Sequence, residues 1–127
     1  MLFESQDVAG YTRRKGQRQD PERWCYNSGS TNLITEMLRN SFQSIEDYFR
    51  FPWRDLFVPL QASSFAFDID ARGVFIGSSF AFASARDWAK MGQLRLQNGT
   101  WNGRTLIPLS YLEAFEQRLP ESGFMYR

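Results

Sequence analysis

The sequence predicts a mostly helical α+β chain, and three observations predict it. Leu33, Ile34, Met37, Leu38, Phe42 and Ile45 recur at steps of one, three and four, which is the spacing of one buried helix face. Ser44 with Asp47, and Ser84 with Asp87, have the form of capping boxes that open helices. Phe65, Phe67 and Ile69 alternate with Ser64, Ala66 and Asp68, the period of a half-buried strand.

In chain order, residues 1–24 predict a short apolar start, a helical turn through Val8 and Tyr11, and a polar, basic loop ending at Pro21. In this reading Arg13, Arg14, Lys15 and Arg18 are solvated loop residues. The first full helix is expected from about Ser30 to Asn40. A second, with Ile45, Tyr48 and Phe49 on its face, is interrupted at Pro52. Trp53, Leu56, Phe57, Val58 and Leu60 form an aromatic packing cluster. Asp70-Ala71-Arg72-Gly73 reads as the turn after the Phe65–Ile69 strand, and Val74, Phe75 and Ile76 as a second short strand. Gly77-Ser78-Ser79 is either a loop bordering a substrate cleft or a flexible turn. Trp88, Met91 and Leu94 mark the face of a third helix ending near Gln97. Asn98-Gly99 and Asn102-Gly103 are tight-turn pairs around Trp101. Pro108 suits the first position of a last helix, with Leu109, Leu112 and Phe115 inward.

Composition narrows the function. At 127 residues the chain has room for one core. A hydrophobic content of 43 % with a formal net charge of +1 excludes both disorder and polyelectrolyte binding, so no nucleic-acid partner is expected. The absence of histidine removes Ser-His-Asp and Cys-His catalysis and the common metal-ligand sets, so neither metal nor cofactor is expected. Cys25 is the one cysteine, which rules out an internal disulfide and reads as a packing residue. No run is long and apolar enough to span a membrane, and Met1-Leu2-Phe3-Glu4 lacks a signal-peptide pattern. The compartment stays open.

Chemistry concentrates in Trp24-Cys25-Tyr26-Asn27-Ser28-Gly29-Ser30-Thr31-Asn32-Leu33, where a polar, turn-forming run feeds into the first helix. Ser28, Ser30, Thr31 and Asn32 supply oxygens that can cap its free amides. On pattern alone Tyr26 either packs at a helix start or does proton work.

The run Tyr26-Asn27-Ser28-Gly29-Ser30-Thr31-Asn32-Leu33 resembles the Tyr-x-Ser/Asn motif of the serine beta-lactamase-like hydrolases. The branch it most resembles holds the class C beta-lactamases, penicillin-binding proteins and 6-aminohexanoate-dimer hydrolases. Downstream, Ala83-Ser84-Ala85-Arg86-Asp87-Trp88-Ala89-Lys90-Met91-Gly92, then Asn98-Gly99-Thr100-Trp101-Asn102-Gly103-Arg104, is similar to that family's Arg-Asp helix and Gly-x-Trp-x-Gly turn. Leu56-Phe57-Val58-Pro59-Leu60 is similar to its Leu-Phe-x-Pro-Leu segment. The resemblance implies a helical region packed on an antiparallel sheet and a small amide or ester substrate cleaved through an acyl-enzyme. Tyr26 would be the catalytic proton relay, and Ser28 a holder of substrate or of the catalytic lysine. The family's nucleophile lies in a Ser-x-x-Lys motif, and no serine here has a lysine three residues later. Lys90-Met91-Gly92 matches the family's Lys/His-x-Gly strand in spelling only, because it falls within the Arg-Asp helix. Residues 1–127 are therefore expected to be the centre of a longer hydrolase, needing further segments to complete the fold. The other reading is a catalytically dead interaction module of the same fold.

Overall fold

The computed structural model describes residues 5–15 and 26–116. Trp24, Cys25, Arg18, Pro21 and Leu119 lie outside them. The described chain is α+β, with five α-helices and two two-stranded antiparallel sheets.

Helix α1 (Val8–Lys15) is longer than the expected turn. Asp7 caps it, accepting from Gly10 N at 2.7 Å, and Asp70 Oδ2 accepts from Val8 N at 3.2 Å. Its last turn holds Arg13, Arg14 and Lys15, where cations suit the helix dipole, so these three are helical and not loop residues. Helix α2 (Ser28–Asn40) starts two residues before the expected Ser30, because Asn27 supplies the cap. Its Oδ1 accepts from Ser30 N at 2.8 Å.

The face of α2 that is covered is not the apolar one. Gly29, Asn32 and Glu36, at steps of three and four, are buried, whereas Ile34 and Met37 are 64 % and 72 % exposed. Helix α1 takes the polar face, and the Arg13 guanidinium grips both Glu36 carboxylate oxygens. That ion pair raises the Arg13 pKa further above its ordinary value.

Helix α3 (Ile45–Pro52) is capped by Ser44, whose Oγ accepts from Asp47 N at 3.0 Å. Pro52 does not stop the winding. It has no N–H to give, and the chain runs on into a π-helical turn, Trp53–Phe57, closed by Val58 N donating to Trp53 O at 2.8 Å. Tyr48 is fully buried, its hydroxyl accepting from Phe75 N at 3.0 Å, and burial pushes its pKa up.

Of the two predicted strands the first is present in shortened form, the second is not a strand, and the partner of the first is a segment not expected to be one. β1 (Ala66–Phe67) pairs with β2 (Ala81–Phe82), Ala66 opposite Phe82, while the Val74–Ile76 segment contributes one bridge, Ile69 with Phe75. Pairing ends there because Asp70 folds the chain back on itself, accepting from Arg72 N and Val74 N. The core joins Phe57, Leu60, Ala62, Phe65 and Leu94, with Phe57 and Phe65 stacked at 4.2 Å between ring centroids. Helix α4 (Ala85–Leu96) closes it from one side. Leu94 is buried, and Trp88, half-exposed, sets its ring against Phe65.

The Ser84/Asp87 box is wider than its spacing suggests. Ser84 Oγ accepts from Asp87 N at 3.3 Å, but the Asp87 carboxylate turns away to Ser64 N, Ser64 Oγ and Lys90 Nζ. Lys90, then Ser64, holds Asp87 down to a pKa of about 2, below its ordinary 3.8. A depressed carboxylate adds stability that is complete above pH 3.8 and is lost as pH falls through about 2. Asp87→Asn is expected to remove that part of the acid dependence, read by circular dichroism between pH 5 and 1.5. An acid titration superposable on the parent's would refute it.

β3 (Thr100–Trp101) and β4 (Arg104–Thr105) form a hairpin about Asn102-Gly103. Both turn residues have positive φ, +48° and +77°, which is the geometry a two-residue turn of this kind needs. Helix α5 (Leu109–Glu116) follows Pro108 as expected, but only Leu112 points inward. Leu109 and Phe115 are exposed, Phe115 by 81 %, because no described element covers that side. Among the described residues no helix is long and apolar enough to cross a membrane.

Candidate functional site

The site is built at the start of α2, where three separate segments meet. Tyr26 stands one residue before the Asn27 cap and is 75 % exposed. Ser28 is the first helical residue and is half-buried. Gly29, next along, is pressed against α1: a Cβ there would stand 2.7 Å from Thr12 Cγ2, so only glycine lets the two helices approach. The helix start is thereby fixed from one side by Thr12 and by the Arg13–Glu36 pair.

The other side is fixed by the Gly77-Ser78-Ser79 loop. Asn32 Nδ2 donates to Ser28 O at 2.8 Å and to Ser78 Oγ at 3.0 Å, joining residues 46 positions apart in sequence. Gly77 lies so close to α2 that a Cβ would stand 2.3 Å from Thr35 Cγ2. Directly after the loop, Phe80 adopts φ +63°, a left-handed conformation that costs a bulky side chain energy. The loop is seated on α2 through Asn32 and Thr35.

Sequence reasoning missed Asn32 as the joint and Asn27 as the cap. The signal for Asn27 was the Asn-x-x-Ser spacing. Asn32 had one too: it stands at the step from Gly29 to Glu36 that marks a small, polar helix face.

Lys90 lies in α4, bonded to Asp87 and to the carbonyl of Gln61, and Lys15 sits over the Tyr11 ring at 5.5 Å. Surface hollows lie elsewhere among the described residues. One of about 490 Å³ is lined by Asp47, Phe49, Arg50, Trp53 and Arg54, and one of about 380 Å³ by Ser5, Gln6, Asp7, Tyr11 and Arg14. Tyr26 and Ser28 line neither. Among the described residues no three Asp, Glu or Cys side chains converge to hold a metal ion.

Comparison with protein-family models, with curated proteins and with solved structures finds no match for this chain.

Proposed function

We propose that the chain is the central part of a beta-lactamase-like serine hydrolase that cleaves a small amide or ester through an acyl-enzyme. Tyr26 relays the proton and Ser28 holds the substrate or the catalytic lysine. The nucleophile and its lysine come from polypeptide beyond these 127 residues. The observation that carries the reading is the Asn32–Ser78 bond. It brings the Tyr26–Leu33 block, which carries the Tyr-x-Ser resemblance, against the Gly77–Ser79 loop, whose functional reading is a border of the cleft, although the two share no sequence neighbourhood. One further fact supports it: Ile34 and Met37 on the apolar side of α2 are exposed.

The reading frame on either side of the chain tests this. A Ser-x-x-Lys upstream and a Lys/His-x-Gly downstream are expected, and a frame containing neither would end the hydrolase reading. The 127-residue chain itself should take no covalent label from a beta-lactam or a fluorophosphonate, because acyl transfer needs an activated serine and none here has its lysine. Stoichiometric labelling of any serine, located by mass spectrometry, would overturn that.

A further inference from the structure

Three costs meet where α2 touches the 77–80 loop. Asn32 is 2 % exposed, and its amide oxygen is buried without a hydrogen-bond partner. The orientation of that amide is not in question, since Ser28 O can only accept and must face the NH2 group. Phe80 carries a left-handed backbone. Gly77 is a position where any side chain would strike Thr35. A leucine of nearly the same shape as Asn32 would leave no orphaned oxygen, and replacing polar groups in that way is often neutral or stabilising. The helical bond that Ser28 O receives from the backbone does not depend on the Asn32 side chain. Packing alone therefore gives no reason for an asparagine here. What the asparagine supplies is two N–H donors in a fixed fork, one to the helix residue Ser28 and one to the loop residue Ser78.

We propose that Asn32 is a positioning residue for substrate: it sets the separation of Ser28 from the Gly77–Ser79 loop, so that the two flank the bound amide or ester. This rests on the hydrolase reading above. Ser78 is its partner in that role. Among the described residues the loop's backbone amides are tied locally, Gly77 N to Phe75 O at 2.9 Å and Ser79 N to Ile76 O at 3.2 Å, and the hydrogen bond that α2 makes to the loop is the Asn32–Ser78 side-chain bond.

The test has two arms. In the longer polypeptide, hydrogen exchange followed by mass spectrometry should show Asn32→Leu raising exchange at residues 77–79 by about tenfold, the value of one net hydrogen bond. Residues 34–40 of α2 should keep their rates. In the longer polypeptide, Asn32→Leu and Ser78→Ala should each raise KM by roughly tenfold while kcat stays within about threefold, the pattern of lost substrate positioning. Unchanged exchange at 77–79, an increase spread evenly over the chain, or an unchanged KM would each overturn the proposal. Tyr26→Phe keeps the two readings apart. If it abolishes turnover while the Asn32 and Ser78 variants are silent, the hydrolase reading stands and the positioning role falls. If all three are silent, both fall.

Discussion

In the proposed hydrolase, Tyr26→Phe is expected to lower kcat by about 10²–10⁴-fold, the usual contribution of a general acid or base, with the fold intact. The fold should survive because the change removes no atom from the Asn27 cap, from the Arg13–Glu36 pair or from the Asn32–Ser78 joint. Tyr26 is also too exposed for its hydroxyl to be a principal packing element. An unperturbed phenol titrates near pH ~10, so a relay working at neutral pH needs a cation beside it. In the proposed hydrolase the catalytic lysine beside the nucleophile supplies it. Cys25→Ser, one residue away, is the control and should be close to neutral. A Tyr26→Phe enzyme that kept most of its kcat would reduce Tyr26 to a residue that packs at a helix start.

Helix starts were legible in the sequence where the signal is local. Ser44 and Ser84 cap the helices that follow them, and Pro108 directly precedes α5, because a cap needs only three or four residues in a row. The same locality explains the early start of α2: Asn27 Oδ1 accepts from the Ser30 amide three residues on, which sets the helix start at Ser28. Periodicity carried less. It tells which residues share a face and says nothing about which face another element will cover. Ile34 and Met37 do share a face, yet α1 packs on the opposite one, drawn by the closeness that Gly29 permits and by the Arg13–Glu36 pair. Phe115 on α5 follows the same logic.

Of the site, Tyr26 and Ser28 were legible as residue types at a helix entrance, and their surroundings were not. The Asn32–Ser78 bond spans 46 residues, and no local pattern encodes a contact of that range. The alternation from Phe65 to Ile69 indicated strand correctly, but not how far pairing would extend. Asp70 decides that by closing a turn on Arg72 N and Val74 N, which leaves one bridge beyond β1.

The 127-residue chain on its own is expected to be a marginal, adhesive species. It should be helical by far-UV circular dichroism, bind hydrophobic dyes and lack a sharp unfolding transition. The apolar side chains left in water are large and spread over several helices: Ile34 and Met37 on α2, Leu96 on α4, Tyr111 and Phe115 on α5. Both sheets are two strands of two residues each, too small to hold such helices together through their own ladders. What remains is one core around Phe57, Leu60, Phe65 and Leu94, with α1 and α2 joined beside it by a partly exposed ion pair. Burial is worth roughly 25 cal/mol per Å² of apolar surface, so a few hundred Å² left uncovered forfeits several kcal/mol. A small domain's whole margin is about 5–15 kcal/mol. Segments supplied by a longer hydrolase would cover those faces, and the same dyes should then fail to bind. A monomer of the isolated chain with a dispersed amide spectrum and a cooperative melt would count against the hydrolase fragment and for a self-sufficient interaction module.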